Sequence, residues 1–369
     1  MSDSVGSELK FRFYRGRVGL AQMLRALGIG DGDEVITQAY TCVAVPEGIM
    51  SIGATPVYAD ILPDHVNLDP SSVEEKISSA TRAIIVQHTF GYPAALSRIM
   101  SIADRHGIPV IEDCCHTLSS EHQGQRVGTF GVGAFYSFEW GKPIASGVGG
   151  AVLLNNDTLV EAMDTQCDSL ITPSFVRGLK VQLQYMVFRV LYRPANYWFL
   201  KDLFARLSKL KVVEGNYNPI SADDPSEEFS FSMLPAVSRR VDARLARLDE
   251  STHRALSAAE QVGAVIKEAG YEPPVVDQGD LAVPARIPFA VEDKARLLAL
   301  ARELRTEVAE WYSTPIHPLG ANDQHMVGYA SGECKVAEAA CQSFVSLPVF
   351  GVTPRYLDDL ATLLQRAKR

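Results

Sequence analysis

The chain has 369 residues, which is too long for one simple hydrophobic core, so two lobes are expected. Apolar residues make up 47% of it and charged residues 21%, the balance of an ordinary globular protein. The formal net charge is −9 and no long basic run offsets it, which argues against nucleic-acid binding through phosphate neutralisation.

The first half of the chain alternates helical and strand patterns, from residue 17 to about 155. Apolar residues recur at helical spacing over 20–27, and glycines at 28 and 30 end that helix. Asp69 and Pro70 predict a helix start, with Asp69 as the N-cap. Strands are predicted at 34–36, 57–60, 83–86, 109–113, 134–138 and 151–154. This alternation predicts an α/β fold with a mostly parallel sheet between helices.

Residues 168–215 interrupt the alternation. The stretch 179–213 is rich in Leu, Val, Phe, Tyr and Trp, with Arg and Lys interleaved. One interpretation is an amphipathic hairpin on a membrane surface. The other is an inserted helical pair that packs against a partner subunit or covers the active site, and we favour it because protein can cover the apolar residues. Residues 216–228 are polar and contain proline, which predicts a loop.

The last third of the chain predicts a smaller α+β domain. A long helical pattern runs over 233–269 and links the two lobes. A strand is predicted at 285–291, a helix at 293–312 and a final amphipathic helix at 357–367. The predicted organisation is a large domain over 1–250, which includes the insertion, and a small domain over 251–369.

The cysteines and the N-terminal residues indicate the cellular compartment in which we expect this protein. The six cysteines show no CxxC pair and no metal-finger spacing, so we expect reduced, packed thiols and no metal site. The first residues contain no apolar run of the signal-peptide kind, and no stretch of about 20 apolar residues could span a membrane. A cytoplasmic protein is therefore expected.

Four residues with reactive or polar side chains stand at or just beyond the ends of predicted strands. Lys142 lies between the strand at 134–138 and a glycine-rich turn, a position suited to chemistry, although most loop lysines are simply solvated. Asp113 ends the strand at 109–113, and His116 follows three residues later. An aspartate at the position of Asp113 is, taken alone, more often a helix cap or a turn residue than a catalytic group. A histidine at the position of His116 is more often simply packed in the core. Ser137 is a candidate phosphate ligand or an ordinary sheet-edge hydroxyl.

A candidate anion site stands at the start of the first core helix. Backbone N–H groups at Gly16 and Arg17 favour a phosphate there, and Arg17 adds charge. A glycine turn before a helix is common without a ligand. Together with the strand-end residues, however, it completes the set that a pyridoxal 5′-phosphate (PLP) enzyme needs: a lysine for the aldehyde, an acid facing the pyridine nitrogen, a group near the ring hydroxyl and a phosphate cradle.

Five short motifs occur in a specific order along the chain. They are Gly-Asp-Glu-Val-Ile at 32–36, Gly-Ala-Thr-Pro-Val at 53–57, Ile-Glu-Asp-x-x-His at 111–116, Ser-Phe-x-x-x-Lys at 137–142 and Gly-x-Gly-Gly at 147–150. This set resembles the DegT/StrS family of PLP-dependent sugar aminotransferases. The similarity covers roughly residues 14–156 and resumes near 315–317 and 334–338.

The resemblance implies a fold-type I PLP-transferase and a role for each motif residue. It implies that Lys142 is the Schiff-base lysine and that Asp113 is the partner of the pyridinium nitrogen. It makes His116 the group flanking the ring and Ser137 a phosphate ligand. His317 matches a histidine near the family's substrate site.

The resemblance also implies the reaction. A homodimer would transfer an amino group from an amino acid, glutamate being expected, to a keto sugar, for which linkage to a nucleotide is expected. The cofactor would pass through its pyridoxamine 5′-phosphate form, with Lys142 moving the proton. The pathway would be cell-surface polysaccharide or secondary-metabolite biosynthesis. Two alternatives stay open: a PLP-dependent sugar dehydratase, whose relatives usually carry histidine in place of the lysine, and a non-catalytic regulatory or membrane-peripheral protein.

The chain departs from the family pattern at three places. The phosphate loop reads Gly16-Arg17 where the family usually has Ser/Gly-Thr. The position of the family's ring-stacking aromatic falls near Cys42, with Tyr40 close by. The family's Asn-x-Arg segment, which reaches the partner subunit's phosphate, is not recognisable. These departures bear on the substrate more than on the cofactor.

Overall fold

The structure, a computed structural model, describes residues 8–63, 65–209, 213 and 226–368. Most of the predicted loop at 216–228 therefore lies outside the described residues, as do residues 210–212 of the insertion. The strands are β1 (Phe11–Phe13), β2 (Glu34–Gln38), β3 (Thr41–Cys42), β4 (Thr55–Ala59), β5 (Thr81–Gln87), β6 (Val110–Asp113), β7 (Glu121–His122), β8 (Gln125–Arg126), β9 (Gly133–Ser137), β10 (Gly150–Leu154), β11 (Arg286–Ala290), β12 (Ile316–His317) and β13 (Phe344–Pro348). The helices are α1 (Gly16–Ala26), α2 (Ala44–Met50), α3 (Pro70–Lys76), α4 (Leu96–His106), α5 (Val160–Asp168), α6 (Phe175–Leu191), α7 (Tyr197–Lys209), α8 (Pro235–Leu245), α9 (Leu248–Glu268), α10 (Lys294–Glu303), α11 (Lys335–Ser343) and α12 (Pro354–Lys368).

A seven-stranded sheet forms the centre of the fold. Its order is β1-β10-β9-β6-β5-β2-β4, and the five strands from β9 to β4 are parallel. β10 and β1 add to the β9 edge as antiparallel strands. The prediction of a mostly parallel sheet is therefore confirmed. Because parallel neighbours end at one edge of a sheet, the carboxyl ends of β9, β6 and β5 lie side by side.

Helices cover both faces of this sheet. Successive residues of β5 show the two faces: Ile84 belongs to the core that contains α4 and α8, whereas Ile85 belongs to the core that contains α1. Both side chains are fully buried. A strand buried on both faces needs a continuous apolar run, which explains why β5 showed no alternation in the sequence.

A separate hydrophobic core lies in the C-terminal third. β11 and β13 pair in antiparallel register, and residues of α9, α10 and α12 pack with them in one cluster. The predicted α+β character of this part is thus present. The predicted domain boundary near residue 250 stays a prediction, because α9 begins in the large core with Leu248 and continues in the C-terminal core from Ala255.

The single long helix expected over 233–269 is two helices. α8 ends at Leu245 and α9 begins at Leu248, with Arg247 in a non-helical conformation between them. Leu245 and Leu248 are both buried in the large core. The chain turns at this point so that both side chains reach that core, a tertiary constraint that the helical pattern does not contain.

The helix expected over 293–312 is shorter than predicted. α10 stops at Glu303, and Arg305 adopts a left-handed conformation with φ of 54°. Beyond it, Ala309 exchanges two backbone hydrogen bonds with Ser346 of β13, at 2.9 and 2.8 Å. Pairing with an existing strand therefore replaces the last turns of the predicted helix and carries residues 311–312 towards the sheet edge.

The insertion contains the predicted helical pair, α6 and α7. Val181 and Tyr185 on the inner side of α6 are buried, but its outer side exposes several large apolar residues. These residues are exposed in the described part of the single chain, and the expectation that protein covers them, a partner subunit included, stays a prediction. Among the described residues, no helix is both long and apolar enough to cross a membrane.

Candidate functional site

Three polar side chains meet where neighbouring parallel strands end. Ser137 is the last residue of β9, Asp113 the last of β6 and Gln87 the last of β5. In the strand register, Gln87 pairs with Asp113 and Asp113 with Phe135. The site therefore sits at the carboxyl edge of the sheet, where open α/β folds bind ligands.

Lys142 and His116 are in direct contact. Lys142 Nζ lies 2.9 Å from His116 Nε2. The other ring nitrogen, Nδ1, accepts a hydrogen bond from the Phe90 N–H at 3.0 Å. A neutral imidazole that accepts at Nδ1 carries its hydrogen on Nε2, the ring nitrogen that faces the lysine side chain. A lysine side chain at this position is the group that would react with an aldehyde.

His116 stays neutral at this position. Burial lowers the pKa of His116 well below its ordinary value, and the positive charges of Lys142 and Arg286 lower it further. The ring also stacks between Phe90, with centroids 5.6 Å apart, and Trp311, at 6.4 Å. The imidazole is thus fixed by packing and by its backbone hydrogen bond.

Asp113 is a buried carboxylate at the floor of the site. Its Oδ1 accepts a hydrogen bond from the Cys115 N–H at 2.9 Å. Burial raises the pKa of Asp113, and the Cys115 bond and the charge of Lys142 offset this only in part. A cationic ring nitrogen beside this carboxylate would favour its ionised form.

A basic corner lies at the start of α1. Gly16 is the first residue of the helix, and a Cβ there would come within 3.1 Å of the Tyr136 oxygen and 3.2 Å of Ser137 Cβ. A side chain at this position would require the helix start or β9 to shift by a few tenths of an ångström. Arg17, the next residue, is buried and pairs with Glu47. Burial opposes the charge of Arg17, but Glu47 raises its pKa, so the guanidinium stays charged.

These residues line one cavity that opens to solvent. Six of the seven predicted site residues line it: Gly16, Arg17, Asp113, His116, Ser137 and Lys142. His317 is not among them. Its ring lies 5.6 Å from that of Tyr312, which does line the cavity.

Several lining residues were not singled out in the sequence. Gln87 could have been found, because it ends the predicted strand at 83–86 at the edge where ligands bind. Glu139 lies within the lysine motif and forms an ion pair with the buried Arg15 at 2.6 Å. Tyr312 could not have been found, because it reaches the cavity only through the unpredicted strand-like path after α10. Cys42, which stands near the position of the family's aromatic, lines the cavity as well.

The insertion contacts the segment that carries Lys142. Trp140 packs against Phe188 of α6 with ring centroids 4.1 Å apart and stacks on Tyr185 at 6.2 Å. Tyr192, just after α6, donates a hydrogen bond to Glu307 at 2.7 Å. Glu307 pairs with the buried Arg286, whose guanidinium lies over the Trp311 ring. The inner side of α6 therefore packs against the segment that carries Lys142, whereas its role in covering the active site stays a prediction.

Known proteins are similar to this chain in sequence and in fold. The profile of the DegT/DnrJ/EryC1/StrS aminotransferase family matches residues 12–175. A pleiotropic regulatory protein of Geobacillus stearothermophilus is 30% identical over 333 residues, which cover 89% of this chain and 76% of that protein. The chain belongs to the DegT/DnrJ/EryC1/StrS aminotransferase family. The predicted resemblance is thereby confirmed.

Two further members are more similar over shorter segments. The L-glutamine:2-deoxy-scyllo-inosose aminotransferase of Streptomyces kanamyceticus is 42% identical over 149 residues, or 40% of this chain and 35% of that enzyme. The UDP-2-acetamido-2-deoxy-3-oxo-D-glucuronate aminotransferase of Pseudomonas aeruginosa is 39% identical over 164 residues, or 44% of this chain and 46% of that enzyme. The matched segment thus spans about a third to a half of these curated relatives.

Solved structures share this fold over nearly the whole chain. DesV of S. venezuelae has a TM-score of 0.74 and 24% identity, covering 100% of this chain and 88% of that one. The putative sugar aminotransferase Spr1654 of Streptococcus pneumoniae, in its PMP form, has a TM-score of 0.74 and 16% identity, covering 99% and 90%. The expected fold-type I PLP-transferase architecture is confirmed.

Proposed function

We propose that this protein is a PLP-dependent aminotransferase that moves an amino group from an amino acid to a keto sugar. The observation that carries the proposal is the contact between Lys142 Nζ and His116 Nε2 at 2.9 Å, in the same cavity as the buried Asp113. A reactive amine, a neutral imidazole and a buried carboxylate at the carboxyl edge of a parallel sheet form the donor set that PLP requires.

The residues present fit PLP at each of its polar groups. Lys142 would hold the aldehyde carbon and Asp113 would face the pyridine nitrogen. His116 would lie beside the ring. Ser137 and the start of α1, with Arg17 close by, would hold the phosphate, since a helix N-terminus and a guanidinium both favour an anion. When bound, PLP supplies an electron sink for the carbanion that forms at the substrate carbon.

Lys142 is the proton carrier in this proposal. Its Nζ would take a proton from the donor carbon and return it to the neighbouring carbon as general base and then general acid. His116, kept neutral by burial, offers an N–H to the amine without adding a competing charge. Asp113 would hold the ring nitrogen protonated, which is the form that withdraws electrons.

The relatives indicate the substrate class. Two of them are named for keto acceptors, one an inosose and one a UDP-linked 3-oxo sugar acid. We therefore propose a cyclic polyhydroxy ketone as acceptor, a nucleotide-linked keto sugar in particular, within cell-surface polysaccharide or secondary-metabolite biosynthesis. The donor is glutamate or glutamine, and the name of the first relative favours glutamine. A cytoplasmic homodimer is part of the same proposal.

A regulatory function is the second candidate, since the Geobacillus stearothermophilus relative, which matches over 333 residues, is named a pleiotropic regulatory protein. The cavity argues for catalysis, because a binding module has no need of an amine, an imidazole and a carboxylate that converge. The dehydratase alternative is disfavoured by Lys142, which stands where such relatives usually have histidine.

The test is whether Lys142 carries the cofactor. We expect the purified protein with PLP to absorb in the visible, and borohydride reduction to attach the cofactor mass to the peptide containing Lys142. Lys142→Ala should lose both signals, whereas Lys335→Ala, at an exposed lysine on α11, should keep both. A wild type that takes up no PLP, or a reduced adduct on another lysine, would overturn the proposal.

A further inference from the structure

The outer side of α6 is an apolar stripe on the surface. Six large apolar residues recur at helical spacing and are between 49% and 74% exposed: Val176, Leu179, Leu183, Met186, Val187 and Val190. Phe175 at the start of the helix is 84% exposed. Isolated exposed apolar residues are ordinary, but a contiguous stripe along a helix of 17 residues marks an interaction surface.

The inner side of α6 fixes the orientation of this stripe. Val181 is buried in the large core, Tyr185 is buried as well, and Phe188 packs on Trp140. The guanidinium of Arg240 on α8 lies 3.9 Å from the centre of the Tyr185 ring. Because the helix is held through these contacts, its outer side faces away from the protein.

The charges of α6 identify what covers the stripe. The helix sequence contains three basic residues and no acidic one. Arg177 pairs with Glu227, whereas Arg189 near the end of the helix and Arg193, two residues beyond it, are exposed. The chain as a whole carries a formal charge of −9. A basic, apolar helix on an acidic protein is the composition of a segment that binds an anionic lipid surface.

We propose that α6 docks this protein on an anionic lipid bilayer, with the helix lying in the plane of the interface. The outer apolar side chains would enter the boundary between headgroups and acyl chains, and the exposed Arg189 and Arg193 would meet the lipid phosphates. A helix of 17 residues is about 25 Å long at 1.5 Å per residue, and together with its basic residues this suits an in-plane position rather than a span.

A second copy of this chain fits the stripe less well. Self-pairing about a two-fold axis would bring the same basic helix from two subunits together. Like charges at such a contact oppose association. A lipid surface with negative headgroups complements the same cations.

Docking would place the site close to the membrane. Trp140, which packs on α6, precedes Lys142 by two residues in the chain. The segment that carries the proposed catalytic lysine would then be separated from the lipid by the thickness of one helix, about 10 Å. The docking proposal itself does not depend on the reaction catalysed.

The test is co-sedimentation of the full chain with phosphatidylcholine vesicles, with and without phosphatidylglycerol. We expect the wild type to bind the vesicles that contain phosphatidylglycerol and to be released by high salt. Leu183→Glu with Val187→Glu, two neighbours on the stripe, should reduce the bound fraction at least about tenfold. The matched control is Val275→Glu with Val276→Glu, at exposed positions elsewhere, and it should bind as the wild type does.

Circular dichroism and PLP uptake of each variant establish that it is folded. A wild type that binds neither kind of vesicle would overturn the proposal, as would a stripe variant that binds as well as the wild type. Size-exclusion chromatography tests whether a second copy of this chain, rather than lipid, covers the stripe. If the stripe variant only converts a dimer into a monomer and the wild type ignores vesicles, a second copy covers the helix and the lipid proposal is wrong.

Discussion

Glu112 holds together the segments that form the site, although the sequence pattern singled out its neighbour Asp113. The Glu112 side chain is fully buried and accepts four hydrogen bonds. Oε2 accepts from the Gly128 N–H at 2.6 Å and from His88 Nε2 at 3.1 Å. Oε1 accepts from two more backbone N–H groups, at 2.7 and 3.0 Å, in the turn before β9. The carboxylate thus ties the end of β6 to the turn that leads into β9.

The cost of removing this carboxylate follows from its partners. Glu112→Ala leaves three backbone N–H groups and the His88 N–H buried without an acceptor. Each such group costs about 1–3 kcal/mol, and the losses are not additive, so we expect a decrease of about 4 kcal/mol in the free energy of unfolding. Glu112→Gln keeps one acceptor oxygen and should lose about half as much, roughly 2 kcal/mol.

The loss of unfolding free energy caused by Glu112→Ala should also depend on pH. Burial alone would raise the pKa of Glu112, but His88 and the N–H groups of Gly128 and Gly131 hold it below its ordinary value. A carboxyl whose pKa is depressed by folding contributes stability above its unfolded pKa of about 4.3 and loses it as the pH falls through the folded pKa. The difference between wild type and Glu112→Ala should therefore shrink in acid.

Equilibrium unfolding in urea at neutral pH measures these differences. Glu74→Ala is the matched control, because Glu74 is half exposed and its pair with Arg105 should contribute less than about 1 kcal/mol. A loss of less than about 1 kcal/mol for Glu112→Ala would refute the reasoning, since it would mean that the four hydrogen bonds are not formed together.

Three further predictions concern single residues. Gly16→Ala should weaken PLP binding at least about tenfold in a fluorescence titration, because its Cβ would meet β9, whereas Gly263→Ala, with open space around the new Cβ, should leave it unchanged. Asp113→Asn should keep the PLP adduct at Lys142 but lower the rate of amino-group transfer at least about tenfold, since an amide cannot hold the ring nitrogen protonated; an unchanged rate would exclude the assigned role. Burial lowers the pKa of His317 to about 4, so below its unfolded pKa of about 6.5 the unfolded chain binds a proton that the folded chain does not. Between pH 7 and pH 5 the wild type should lose about 2 kcal/mol more stability than His317→Asn in urea unfolding, and equal losses would contradict the shift.

Local signals in the sequence predicted the sheet and most of the site. The buried strands appeared as continuous apolar runs, and Asp69 with Pro70 marked a helix start that the structure contains, with Asp69 capping the Ser71 N–H. Asp113, Ser137 and Lys142 were found because they stand at or just after strand ends. Parallel strands then bring such residues to one edge without further information.

Long-range contacts decided what the sequence did not predict. The path after α10 follows a pairing with β13, which lies more than thirty residues further along the chain. The same path brings Tyr312 to the cavity, and no local pattern marks that residue as part of a site. His317 was assigned from resemblance alone, and it contacts Tyr312 but does not itself line the cavity. Its role in substrate binding stays a prediction.

The amine half-reaction tests the proposed aminotransferase activity most directly. Glutamine or glutamate is added to the protein loaded with PLP, and the visible spectrum and the 2-oxo acid product are followed together. We predict that the visible band shifts to shorter wavelength, that one equivalent of 2-oxo acid appears per site, and that Lys142→Ala shows neither change. A wild type that holds PLP but leaves the band and the donor unchanged with both amino acids would contradict the proposed function.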